Sequence, residues 1–228
     1  KLLLERCNSE ESGLNIKDEY ESTALIWACC NGHEDVVQLL LDHSKRIDLN
    51  VRNNGARTAF MYACYNGHKD VVKLLLDHSE RIDLNARNIV GLTAFMYACY
   101  YGHKDVVKLL LDLSERIELN ARSNCGGTAF MMACRKGHKN IVKLLLDNSE
   151  IIELNASSNN GMTAFMEACN NGHKDVIKLL LDNSEIIELN ARNNDGMTAF
   201  MLAYRASRYR QQDDVVKLLL EYSELRSH

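Results

Sequence analysis

The side chains best suited to chemistry here are eight cysteines and eight histidines. Cys29, Cys64, Cys99, Cys134 and Cys169 each follow an alanine, and His33, His68, His103, His138 and His173 each follow a glycine. Thiols and imidazoles in such numbers raise three chemistries: zinc coordination, disulfide bonding, and acid-base or nucleophilic catalysis. Their spacing argues against each. No Cys-x-x-Cys pair occurs, as a zinc site would favour. The five cysteines recur every 35 residues. Equivalent helices in a stack lie roughly 8–10 Å apart, wider than the roughly 4.4–6.8 Å between the Cα atoms of bridged cysteines. The histidines keep the same register, with no nucleophile or carboxylate converging on them. Neither Gly-x-x-x-x-Gly-Lys nor Gly-x-Gly-x-x-Gly is present to cradle a phosphate, and His33-Glu34-Asp35 is not a zincin motif. A small buried thiol and a turn histidine account for both series, so no catalytic residue, metal or cofactor is expected.

What positions these groups is a repeat. Thr23, Thr58, Thr93, Thr128, Thr163 and Thr198 fall at a constant interval of 35 residues, and most of the intervening sequence recurs with them. Such a period signals small supersecondary units that cannot bury their apolar faces alone and must stack. Each threonine can cap the first turn of a short helix. In the unit starting at Thr58, Phe60, Ala63 and Cys64 share one helical face. Gly67 ends that helix and His68 opens a second, in which Val71, Val72, Leu75 and Leu76 form a wide apolar stripe. Asp70 suits the positive end of the second helix. Ile82 and Leu84 then alternate with charged residues, predicting an extended arm anchored on one side. Asn and Gly beyond it, as in Asn194-Asp195-Gly196, predict a tight turn. Each unit therefore reads as helix, turn, helix and a hairpin-like finger.

These residues resemble the ankyrin repeat. Within one unit the matching positions are Gly161, Thr163, Phe165, Ala168, Gly172, His173, Val176, Leu179, Leu180, Leu181, Leu189, Asn190 and Ala191. The likeness recurs in every unit and covers nearly the whole chain. It implies an all-α fold, an ankyrin-repeat solenoid of helix-turn-helix units with extended hairpin fingers, and a protein-binding role. The chain departs from the pattern in three ways. Its repeat is 35 residues against about 33 in the family, with two residues added between the Leu triplet and Asn190. The family's proline is alanine throughout, and no proline occurs anywhere. Its helix-start histidine is Ile26, Met61, Met96, Met131, Met166 or Met201. Asparagines matching Asn50, Asn85, Asn120, Asn155 and Asn190 can be hydroxylated in the family; here a turn-stabilising side chain is the expectation.

The units are 23–57, 58–92, 93–127, 128–162 and 163–197, with 1–22 as the second helix and finger of a truncated repeat and 198–228 as an atypical C-terminal cap. Lys1-Leu2-Leu3-Leu4 matches a second helix, so the chain is expected to be a fragment of a longer stack. Thr198 precedes Val215 by 17 residues where other units have 13, and the extra segment lacks the Gly-His turn.

Composition limits the partners. The net charge of −4 is spread over interspersed signs, so no strong field favours nucleic acid or anionic lipid. Arg205, Arg208 and Arg210 read as a basic surface helix. Aliphatic runs such as Leu74-Leu75-Leu76 are far shorter than the roughly 20 residues of a membrane span. Abundant thiols suggest a reducing compartment: the cytosol, the nucleus, or the host cytosol for a pathogen effector. The Asn155-Ala156-Ser157 sequon is then unused.

Function should lie where the units differ. The slots four, seven and eight residues after each threonine face away from the core. They hold Trp27, Tyr62, Tyr65, Tyr97, Tyr100 and Tyr101 early in the chain, and Arg135 and Lys136 later. Ile89, Val90 and Leu92 form an apolar finger tip, where other fingers carry Asn or Asp at the turn, as at Asn54, Asn124, Asn159, Asn160 and Asp195. Tyrosine and tryptophan are enriched in binding hot spots, so these eleven residues are the expected protein-binding surface of a monomeric interaction module. Alternatively, the tyrosines stack on one another between repeats with their hydroxyls in water. Two further functional readings are a regulatory or targeting region of a larger enzyme or channel, and a substrate adaptor for ubiquitin ligation. The adaptor would need a recruiting motif such as an F-box, which these residues lack.

Overall fold

All six threonines start helices. Each Oγ1 accepts a hydrogen bond from the backbone N–H three residues on, at 3.3–3.4 Å, satisfying one of the donors that every helix start leaves open. The computed structural model describes residues 13–43, 47–210 and 213–225. Among them are twelve α-helices in six pairs. The pairs are α1 (Ala24–Asn31) with α2 (Glu34–Asp42), α3 (Ala59–Asn66) with α4 (Lys69–Leu76), and α5 (Ala94–Tyr101) with α6 (Lys104–Leu111). Then follow α7 (Ala129–Lys136) with α8 (Lys139–Leu146), α9 (Ala164–Asn171) with α10 (Lys174–Asp182), and α11 (Ala199–Arg210) with α12 (Asp213–Leu225). The proposed N-terminal helix at Lys1-Leu2-Leu3-Leu4 lies outside the described residues. No described helix is long and apolar enough to cross a membrane.

The chain divides into two compact units, one ending at Ala98 and the other beginning at Cys99. Within the first, α1 packs on α3 and α2 on α4. Within the second, α7 packs on α9 and α9 on α11, while α6, α8, α10 and α12 follow one another. The expected core faces are the buried ones: Phe60, Ala63, Cys64, Val71, Val72 and Leu75 are almost inaccessible. Leu76 is only half-buried. Met61, Met96, Met131 and Met166 are buried as well, so losing the family's polar histidine there has produced an apolar contact.

The turn between paired helices depends on both of its residues. Gly137 ends α7 at φ +74°, in the left-handed region that favours glycine. A Cβ there would stand 2.5 Å from Nδ1 of His173. That histidine comes from the next pair, and its Nε2–H donates to the carbonyl of Arg135 at 2.8 Å. His68 reaches the Cys30 carbonyl (3.0 Å) and His138 the Tyr100 carbonyl (2.9 Å) in the same way. The imidazoles are thus ties between successive pairs.

Beyond the second helices of the first five pairs the described residues form turns rather than regular strands, with one isolated antiparallel bridge among them, Ser157 to Thr163. Each finger closes with a hydrogen bond to the carbonyl four residues on, as from Asn53 N to Arg57 O (3.1 Å) and Asn88 N to Leu92 O (3.0 Å). The two added residues fall in the connection after the Leu triplet: α4 ends at Leu76, and Ser79–Arg81 form a 3-10 turn.

The recurring asparagines correct the expectation made for them. Asn50, Asn120 and Asn155 each clamp the turn that follows their own. Asn155 donates through Nδ2 to Ile186 O and accepts through Oδ1 from Glu188 N, both at 2.8 Å. Asn50 does the same with Arg81 O and Asp83 N, and Asn120 with Ile151 O and Glu153 N.

The last pair departs from the rest. Without a Gly-His turn, α11 runs for 12 residues where other first helices have 8. Phe200, Met201 and Tyr204 occupy the slots of Phe165, Met166 and Cys169, yet they are exposed, Met201 by 45%. The outer face of this pair is therefore more apolar than a polar cap would be.

Replacing Gly137 by alanine combines left-handed strain with the His173 contact. It should lower the unfolding free energy by about 1–2 kcal/mol or more, read from the midpoint of a urea titration. An unchanged midpoint would mean that the turn relaxes freely.

Candidate interaction surface

In the first unit, the tyrosine slots and the fingers meet. Trp27 is 44% exposed on α1. Its indole N–H donates to Asp18 Oδ2 at 2.7 Å, and Asp18 Oδ1 accepts from the backbone N–H groups of Tyr20 and Ser22, both at 2.9 Å. The Ser22 bond, with the others, holds the Asp18 carboxyl below its ordinary 3.8 despite partial desolvation. Tyr20 meets Trp27 edge-on at 6.4 Å. On α3, Tyr62 and Tyr65 are half-buried, with their ring centres 6.5 Å apart.

Tyr97 is not on the surface expected for it: it is only 4% exposed. Its ring meets Tyr65 edge-on at 5.3 Å. Its hydroxyl accepts from Asn88 Nδ2 at 2.7 Å and from Arg57 Nε at 3.1 Å. Burial pushes the Tyr97 phenol up, which the Arg57 charge partly offsets. The Tyr62 hydroxyl accepts from Asn53 Nδ2 at 2.9 Å. These hydroxyls are bonded to the fingers rather than left in water, because Asn53 and Asn88 stand nine residues before their tyrosines. The same asparagines shape the finger turns: Asn53 Oδ1 accepts from Gly55 N and Arg57 N, and Asn88 Oδ1 from Val90 N and Leu92 N. Leu92 is half-buried, whereas Ile89 and Val90 project at the tip, 66% and 50% exposed.

The second unit holds the remaining expected residues. Tyr100 is half-buried and Tyr101 exposed at the end of α5, with their rings 4.9 Å apart. Lys136 Nζ lies 4.4 Å over the Tyr100 ring, a cation–π contact. Arg135 is exposed and approaches Glu167 at 3.9 Å. A groove of about 480 Å³ opens here, lined by Met131, Met132, Arg135, Glu167 and the finger residues Ser123 to Cys125 and Ser158 to Asn160. Burial raises the Glu167 carboxyl above its ordinary 4.5, and Arg135 opposes that shift. The structure brings Trp27, Tyr62, Tyr65, Tyr97, Ile89, Val90 and Leu92 together in one unit, and Tyr100, Tyr101, Arg135 and Lys136 in the other.

Two contributors escaped the sequence reading. Arg57 lies among three tyrosine rings and was visible only as an odd residue before Thr58. Asn54, Asn159 and Asn194 each donate through Nδ2 to a carbonyl of the preceding finger, at 2.9–3.3 Å. Ile89 occupies the same slot and has no such donor.

The ladder cysteines are unpaired and buried. Burial raises the thiols of Cys29, Cys64, Cys99, Cys134 and Cys169 well above the ordinary range, so they are protonated and poor nucleophiles at neutral pH. Among the described residues, no group of three or more His, Cys, Asp or Glu side chains could hold a metal ion. The family model described as "Ankyrin repeats (3 copies)" matches residues 1–88, 81–157 and 150–227.

Two titrations follow. Trp27 is the chain's one tryptophan, so its emission should stay constant as the pH falls and change only below about pH 3.8, the ordinary aspartate value. Asp18→Asn should abolish that step, whereas a step above pH 3.8 in the parent would disprove the indole–carboxylate bond. Glu167 behaves oppositely. A carboxyl raised by folding binds its proton more tightly in the native state, so stability falls as the pH rises through the raised value. Glu167→Gln should therefore raise the melting temperature at pH 7, with the gap closing below about pH 4.5. A gap independent of pH would rule out burial as its cause.

Proposed function

The chain belongs to the ankyrin repeat family, and on that premise we propose that it binds a peptide or protein partner through the exposed slots of its first helices and its finger tips. Ankyrin repeats are generally non-catalytic protein-interaction modules. The observation that carries the reading is Ile89. Its slot holds Asn54, Asn124, Asn159 and Asn194 elsewhere, and three of those asparagines tie their finger to its neighbour. Placing isoleucine there gives up a structural hydrogen bond to expose an apolar side chain beside Val90. Folding gains nothing from that exchange, whereas an interface would. Trp27, Tyr62 and Tyr65 extend the apolar and aromatic area within the first unit, and in the second Tyr100 and Tyr101 present aromatic surface while Arg135 and Lys136 add charge. The repeat units taken from the threonine period are the frame on which these residues vary. Unpaired thiols support a reducing compartment, the cytosol or nucleus.

The test is selection from a displayed library of random peptides of roughly twelve residues. A variant combining Ile89→Asp, Val90→Asp and Tyr65→Ala should retain about a tenth or less of the selected pool, the effect of losing hot-spot residues. A control combining Lys73→Ala and Lys108→Ala, on the exposed sides of α4 and α6, should retain all of it. Equal losses from both variants would place binding elsewhere.

A further inference from the structure

Arg57 is not required by the repeat. The other units place Ser22, Leu92, Gly127, Met162 and Met197 in its slot. In the second unit, where Gly127 stands in that slot, the corresponding space is the groove lined by Met132, Arg135 and Glu167. Those three residues occupy the slots of Tyr62, Tyr65 and Tyr97. The fold thus forms without an arginine at this point.

In the first unit the site is filled and charged. The guanidinium carbon of Arg57 lies 5.7 Å from the ring centres of Tyr62 and Tyr65 and 5.6 Å from that of Tyr97. Nε donates to the Tyr97 hydroxyl, and the Arg57 backbone N–H is held by Asn53 Oδ1 at 3.0 Å. Aromatic faces stabilise a cation without neutralising it. Among the described residues, no carboxylate pairs with this guanidinium. Arg57 is therefore a half-buried cation held among tyrosine hydroxyls, those of Tyr97 and Tyr62, and among these residues its positive charge is met by no carboxylate, the group a planar guanidinium pairs with best.

We infer that Arg57 receives a carboxylate, and that the partner of this face presents an Asp or Glu side chain to it. This rests on the reading of the face as a protein-binding surface. The finger that bears Ile89 is bonded to the finger that bears Arg57, through Ile89 N to Gly55 O at 3.2 Å. The acidic residue should consequently stand beside an apolar one that rests on Ile89 and Val90. Three tyrosines around a cation could also suggest a cage for a methylated ammonium ligand. Here the chain's own guanidinium fills the cage, and the charge left to be matched is negative.

The probe is the peptide pool selected from the random library on the parent chain, followed by the best clone as a synthetic fluorescent peptide measured by anisotropy. The pool should be enriched in Asp or Glu at a fixed spacing from an aliphatic or aromatic residue. Arg57→Met uses a residue that two other units carry in the slot, and Arg57→Gln keeps a donor. Each should weaken the clone about tenfold or more, with melting curves confirming the fold. Changing the peptide's Glu to Gln should cost the same, and combining the two changes should cost little more than either alone. Arg57→Lys should recover only part of the affinity. A pool without acidic residues, a pool rich in Lys, or a clone indifferent to both Arg57 variants would overturn the inference. If Ile89→Asp and Tyr65→Ala remove binding while the Arg57 variants do not, the binding face stands and the carboxylate assignment alone falls. If no peptide is selected, or none of these variants matters, both readings fall.

Discussion

A helix of eight residues is too short to hold itself together in water, and most helices of this chain are that length. Within each compact unit, a pair must therefore bury its apolar stripe against a neighbouring pair. This dependence sets the terms for the remaining features of each unit. The Cys slot is small because first helices approach closely there. The Gly slot is left-handed because the chain must turn at once into a second helix while leaving room for an imidazole from the neighbouring pair. The Asn clamp reaches the backbone of the following turn because an arm without a sheet has few other partners for its polar groups.

On this frame, two equivalent places have been built differently. The slots of Arg57, Tyr62, Tyr65 and Tyr97 in the first unit are those of Gly127, Met132, Arg135 and Glu167 in the second. One set fills its space with tilted and edge-on rings around a cation. The other leaves a groove with a half-buried carboxylate and an arginine 3.9 Å from it. Helix ends, caps and finger turns are alike in both. Changing four side chains thus alters shape and charge while leaving the backbone alone, which is how a stack of near-identical units acquires distinct surfaces.

The features legible in the sequence follow local rules. Thr58 caps its own helix, Gly67 ends it, and Phe60, Ala63 and Cys64 share a face by helical spacing alone. The features that were missed involve partners a repeat or more away. Tyr97 sits in a slot that reads as exposed, but Arg57, 40 residues earlier, covers it. Asn155 reads as a turn residue because its ligands, Ile186 and Glu188, lie 31 and 33 residues on. A period reveals that a residue recurs, not what it touches in the neighbouring copy. The two-residue insertion was ambiguous for a related reason: helix and arm can each absorb extra length, and the C-terminus of α4 decides between them.

The ladder of shielded thiols has a practical consequence. Cys29, Cys64, Cys99, Cys134 and Cys169 place one sulfhydryl inside each of five consecutive helix pairs, in near-identical surroundings. A membrane-permeant alkylating reagent can reach such a group only while its own pair is transiently open. Labelling rates, read peptide by peptide in a mass spectrometer, would consequently chart breathing along the array with no probe introduced, and would do so inside living cells.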